Sequence, residues 1–157
     1  MSSPPLHLGQ DNLARELFLV SLDSWNQWPR GLNLPSDHFC VLLAGDASSA
    51  DADAIGSLAD AALDDGCVYL CAWGPDCDRV HDLFDLKIVE RSIAAETPKS
   101  PPVMTTSHRA ETLDEATEFL INAAWPDDAF AETCRSALIA VVGSSEWIAA
   151  IRRRFEK

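Results

Sequence analysis

The sequence has no apolar run approaching eighteen residues, the length a helix needs to cross a bilayer. Its longest apolar stretches, Phe39–Gly45 and Ala137–Gly143, are the size of buried strands. The opening MSSPPLHLGQDN lacks a basic segment followed by an apolar one, so export through a signal peptide is not expected. Cysteine is sparse and oddly counted: five residues, none spaced as a small secreted disulfide framework. A reducing, cytoplasmic setting is the expectation. Basic residues are few as well, 12 against 25 acidic, for a formal charge of −13. The terminal RRRFEK carries four positive charges and one negative, so the other 151 residues sum to −16. Such a field repels phosphate backbones and anionic lipid, which disfavours nucleic acid and membrane surfaces as partners. It suits a basic protein partner; solubility alone would also account for it. Also missing is a glycine-rich phosphate loop. GDASSADADAIG lacks the required glycine spacing and places Asp46, Asp51 and Asp53 where phosphates would sit. Nucleotide binding is disfavoured, and no cofactor is expected.

What is present is a globular composition, 47% hydrophobic and 24% charged, in a chain of 157 residues that fits one domain. Four apolar segments, each followed by a helical pattern, order the chain. HFCVLLAGD (His38–Asp46) leads through Ser48 and Ser49, good helix caps, into a helix with Ala54, Ile55, Leu58, Ala59 and Ala62 on one face and Gly66 at its end. CVYLCAW (Cys67–Trp73) precedes a helix from about Asp76 to Phe84. VMTTS (Val103–Ser107) precedes a helix opened by a Thr112–Glu115 capping box, and ALIAVVG (Ala137–Gly143) precedes a last helix capped by Ser144 or Ser145. Fourfold alternation predicts a single three-layer α/β domain over residues 1–157: a four-stranded, mainly parallel sheet with helices on both faces, ordered 2-1-3-4 or 3-2-1-4. Residues 1–36 read as an N-terminal extension packed on it and 152–157 as a basic tail. Within the extension, NLARELFLVSLDSW fits a helix capped by Asn12 or an edge strand over Glu16–Leu22. Lys87–Ala95 fits a small extra strand or loop, and the proline-broken Glu96–Pro102 a loop.

In a parallel sheet, ligands bind beyond the carboxyl ends of the strands. Here those ends carry Asp46; Trp73, Gly74, Asp76 and Cys77; Thr106 and His108; and Ser144, Ser145 and Glu146. Asp46, Trp73, Asp76, Thr106, Ser144 and Glu146 are thus the candidate ligand-binding rim. Cys77 falls in the first turn of a helix, where the dipole favours a thiolate, although Asp76 and Asp78 oppose it. With His108 as base, Cys77 is a candidate nucleophile for acyl transfer; a small residue filling a tight turn is the plainer reading.

Cys67, Cys71, Cys77 and His81 supply four metal-ligand types within fifteen residues. On an extended strand, however, Cys67 and Cys71 share a face about 13 Å apart, too far for one tetrahedral zinc. No metal is expected. Trp25 and Trp28 would make a partner-binding surface if exposed, and otherwise pack over the sheet.

The segments LCAWGPDC and VMTTSH resemble those of a group of small bacterial proteins forming a domain-of-unknown-function family. Its pattern pairs a strand ending in Trp-Gly-x-Asp-Cys with a later Val-Met-Thr-Thr-Trp-His segment. Cys67, Tyr69, Trp73, Gly74, Asp76, Cys77, Val103, Met104, Thr105, Thr106 and His108 match it, and Ser107 stands where the pattern has tryptophan. The resemblance runs from about Phe39 to Val142 and implies that the rim after the second and third strands is a common feature; it brings no activity. The function expected is that of an acidic cytoplasmic protein, of bacterial immunity or defence-regulatory type, that binds another protein without catalysis. The alternative is a small cysteine-dependent hydrolase or transferase using Cys77 and His108.

Overall fold

A run as apolar as FCVLLA is satisfied only where a strand is covered on both faces, and the fold supplies that cover. The computed structural model describes residues 4–95 and 101–156. In chain order its elements are β1 (Leu6–Gln10), β2 (Glu16–Leu22), β3 (His38–Ala44), α1 (Ala52–Asp64), β4 (Cys67–Trp73), α2 (Cys77–Ala94), β5 (Met104–Ser107), α3 (Leu113–Asn122), β6 (Cys134–Val142) and α4 (Ser145–Phe155), with a 3-10 turn at Asp128–Phe130. The strands form one sheet in the order β1-β2-β6-β3-β4-β5. All neighbours are parallel except β1, which runs antiparallel to β2.

The pleat sends alternate residues of β3 to opposite sides. Phe39, Val41 and Leu43 pack with Ile55 and Leu58 of α1 and Val80 and Phe84 of α2. Cys40, Leu42 and Ala44 pack with Ala116 and Leu120 of α3 and Ile151 of α4. Each of those large apolar side chains, taken fully out of water, contributes about 1.5–3 kcal/mol.

The three-layer α/β class holds, with corrections. The sheet has six strands, not four, because residues 1–36 are more than an extension: they contribute β1 and β2. Glu16–Leu22 is a strand, and an interior one, paired with β1 and β6. The four strands read from the sequence take the order 3-2-1-4. Lys87–Ala94 continues α2 instead of forming an extra strand or loop. Its apolar residues Leu86, Val89 and Ile93 point outward, which blurs the helical signal. The cap of α1 is Asp51, whose carboxylate accepts from the Asp53 N–H, rather than Ser48 or Ser49. The capping box of α3 forms as read, Thr112 and Glu115 each bonding the other's backbone. A bulge at Val68, where Phe39 pairs with Cys67 but Cys40 with Tyr69, shifts the pleat. Cys67 therefore packs on the α1–α2 side and Cys71 on the α3–α4 side, not on one face. The loop expected over Glu96–Pro102 lies, up to Ser100, outside the described residues.

Candidate functional site

Parallel pairing gathers the carboxyl ends of β2, β6, β3, β4 and β5 along one rim, and the connections reverse direction between β6 and β3. The rim is filled by the chain itself. Asp46 turns its carboxylate back onto the Ser48 N–H (2.9 Å) and hydroxyl (2.6 Å), which hold it below the usual carboxylate range. The Trp25 indole N–H donates to the Asp46 carbonyl, and its ring lies so close under Gly45 that a Cβ there would come within 2.6 Å. Gly74, at φ +118°, lets β4 press against the same loop; a Cβ would sit 2.1 Å from the Gly45 oxygen. Trp73 crosses the rim to the other face, donating to the Glu111 carbonyl (2.8 Å) and meeting Trp147 edge to face at 4.9 Å. Ser144 spends its hydroxyl capping α4, where it accepts from Trp147, and Glu146 is exposed in the first turn. Asp76 caps α2 in a left-handed conformation without a side-chain hydrogen bond.

Cys77 and His108 are not brought together. The strand alternation that carries Thr105 and Ser107 toward α2 carries Thr106 and His108 toward α3. Cys77 is 2% exposed, packed with Val80 and Phe84 on the α1–α2 side, its Sγ 3.4 Å from the Ser107 hydroxyl. His108 is buried against Phe119 of α3, ring centres 4.7 Å apart, with Nε2 2.8 Å from the Thr106 hydroxyl and Nδ1 2.7 Å from Glu111. Both ring nitrogens thus have partners, and the sheet separates the ring from the thiol. The Ser107 hydroxyl donates to Asp78, which with Arg109 at 3.1 Å is held below the usual carboxylate range, the hydroxyl having the larger effect. Burial pushes the Cys67 and Cys71 thiols up to about 12, so neither is a nucleophile near neutral pH. Among the described residues, no three His, Cys, Asp or Glu side chains stand where they would hold a metal ion.

Trp25 and Trp28 pack over the sheet. Trp28 stacks on Phe39 at 6.3 Å and donates to Asp65 (2.7 Å).

Open space lies at the opposite end, beyond the amino ends of the strands. A cleft of about 440 Å³ is lined by Asp37, His38, Asp64, Asp65, Arg91 and Phe130 among others. A second, of about 400 Å³, shares Asp64 and Asp65 and reaches Trp28 and Arg30. Both border the C-terminus of α1, whose last turn holds no basic residue. Arg91 and Lys87 of α2 reach it from the side, Arg91 to Asp60 and Asp64, Lys87 to Asp60.

At the same end, sequence reasoning missed Arg15 and Asp11. The Arg15 side chain is 1% exposed and that of Asp11 fully buried, paired at 2.8 Å. The guanidinium also donates to the carbonyls of Ala124 (2.6 Å) and Leu120 (2.7 Å) at the end of α3. The i, i+4 spacing of Asp11 and Arg15 was visible, but their acceptors lie 105 and 109 residues away.

The family model described as Domain of unknown function (DUF7684) matches residues 17–157, and the chain belongs to this family. No curated protein matches the chain, and no solved structure does.

Proposed function

We propose that this family member binds a basic protein partner through the acidic end of its fold and performs no chemistry of its own. The observation that carries the reading is the placement of charge at the C-terminus of α1. Asp64 and Asp65 close that helix, and Asp37 lines the same 440 Å³ cleft. A helix C-terminus is the negative pole of its dipole, so a carboxylate there costs about 0.3–1 kcal/mol. A partner's lysine or arginine would relieve that cost on binding. The formal −13 of the whole chain would speed the encounter and make it salt-dependent. The filled rim, and the sheet standing between Cys77 and His108, support a binding role over catalysis. An immunity or defence-regulatory protein, masking a basic partner in a reducing cytoplasm, is the finer form of this reading. Among the described residues no helix is long and apolar enough to cross a membrane.

The test is affinity capture from the source cell at low and at high salt, repeated with a combined Asp37→Asn, Asp64→Asn, Asp65→Asn variant. The expected result is a partner of high isoelectric point that is held at low salt, released at high salt, and lost with the variant. A partner indifferent to both salt and the variant would overturn the reading, as would rapid alkylation of Cys77 by iodoacetamide in the folded protein near pH 6.

A further inference from the structure

All five cysteines are buried free thiols, but they are not equivalent. Cys67 and Cys71 pack on opposite sides of the sheet, and Cys77 meets the Ser107 hydroxyl. Cys40 of β3 and Cys134 of β6 meet each other instead. Their strands are neighbours in the middle of the sheet, and both side chains pack on the α3–α4 side. The two sulfurs stand 3.6 Å apart, although 94 positions separate the residues in the chain. A register shift arranges this contact. His38 pairs with Cys134 but Phe39 with Ser136, so β6 gains a residue there and Cys134 turns toward the face that Cys40 occupies.

The pair is also asymmetric. The Cys40 thiol donates to the Cys134 sulfur, and the Arg15 guanidinium lies beside that sulfur. Against the cost of burial, the two hold Cys134 below the ordinary thiol range, while Cys40, keeping its proton, is pushed up. A thiol poised to ionise beside one that stays protonated is the arrangement of an attacking and a resolving cysteine. We infer that Cys134 and Cys40 are a reversible redox pair: hydrogen peroxide oxidises Cys134, and Cys40 resolves it as an intramolecular disulfide. The Cys134 thiolate attacks the O–O bond, an S–O bond forms, and hydroxide leaves to take up the proton that Cys134 had released. The Cys40 sulfur then displaces the sulfenic oxygen. The S–S bond forms, the S–O bond breaks, and the departing hydroxide takes the Cys40 proton as water. In sum, two thiols and one peroxide give one disulfide and two waters, and a dithiol reductant returns both electrons. Cys134 opens β6, so closing the gap to the roughly 2 Å of a disulfide moves a strand end and leaves the ladder beyond it in register. Both residues are fully buried, and the oxidant enters when the turn before β6 opens; hydrogen peroxide is little larger than water.

Peptide mapping by mass spectrometry tests this on the folded protein, reduced first and then exposed to hydrogen peroxide. Remaining thiols are alkylated in urea before digestion. The expected product is a Cys40–Cys134 crosslink, two hydrogens lighter, with Cys67, Cys71 and Cys77 alkylated and the crosslink lost on adding dithiothreitol. Cys40→Ala should leave Cys134 as a sulfenic acid that dimedone traps. Cys134→Ala should slow peroxide consumption about tenfold or more. The wild-type map decides the question by itself should either variant fold poorly. Five free thiols after exposure overturn the inference. So does a bond between any other pair, a crosslink that forms only in urea, or a Cys134→Ala variant that consumes peroxide as fast as the wild type. None of these outcomes depends on a partner or on salt, so this inference and the binding reading fail separately.

Discussion

Two helices end at the same end of the sheet, one on each face, and they end in opposite ways. At α3 the terminal carbonyls are gathered up. Those of Leu120 and Ala124 accept from the buried Arg15 guanidinium, and that of Ile121 accepts from the Asn12 N–H. A cation thus sits at the negative pole of the dipole, where it is favourable, and Asp11 balances it inside the protein. At α1 the terminus carries Asp64 and Asp65 and no cation of its own. Its neutralisation is borrowed from Arg91 and Lys87 across exposed pairs. The first arrangement serves stability. The second works against it, and it borders the open clefts on which the proposed binding of a basic partner rests.

The most forceful way to break the contrast is at α3. Arg15→Met leaves the Asp11 carboxylate buried without its counter-ion, and the carbonyls of Leu120 in the last turn of α3 and of Ala124 just past its cap without the guanidinium donors. A loss of about 3–5 kcal/mol is expected in urea unfolding, and salt should barely change it. Adding Asp11→Leu should restore part of that loss, since both buried charges are then gone. At α1, Arg91→Ala removes pairs that face solvent, so about 1 kcal/mol or less is expected at low salt, fading in 0.5 M NaCl. A comparable, salt-resistant loss would mean that the two termini are held alike. Asp65→Asn keeps an acceptor for the Trp28 indole while removing a carboxylate from the dipole's negative pole, and should stabilise the fold by about 0.3–0.5 kcal/mol. A destabilised variant would show that the acid at this terminus supports the fold. The smallest effect is a pH dependence. The Asp60 carboxylate beside Lys87 raises the ammonium above its usual value. Lys87 therefore contributes fully below the ordinary lysine range, and its contribution is lost as pH rises through the raised value. The gap in thermal midpoint between wild type and Lys87→Met should be constant at neutral pH and close in strong alkali.

Legibility in the sequence followed the range of the interactions involved. The Thr112–Glu115 box needs groups only three residues apart, and it formed as read. Continuous apolar runs announced β3, β4 and β6, because strands buried on both faces need them. The far end of α2 was not legible, since Leu86, Val89 and Ile93 face solvent and an exposed stripe does not follow the core's periodicity. Nor was the role of Arg15, which reads as an ordinary charge before a strand until α3 folds over it.

The candidate site was legible as a rim and not as a geometry. Trp73, Asp76, Cys77, Thr106 and His108 do cluster where β4 and β5 end. Which side of the sheet each serves is another matter. Ser107 and His108 are consecutive, yet Ser107 meets Cys77 and His108 meets Phe119.

The class of the fold and the capping of α3 were thus written in local chemistry: hydrophobic period and cap residues act within a few positions of themselves. Tertiary structure alone decided that the first strands enter the sheet, that Cys77 and His108 face different layers, and that one arginine closes a helix 105 residues away while another helix ends among acids. The physical reason is that facing and burial are set by strand order and pleat phase. A single bulge, as at Val68, reverses the facing of every residue beyond it.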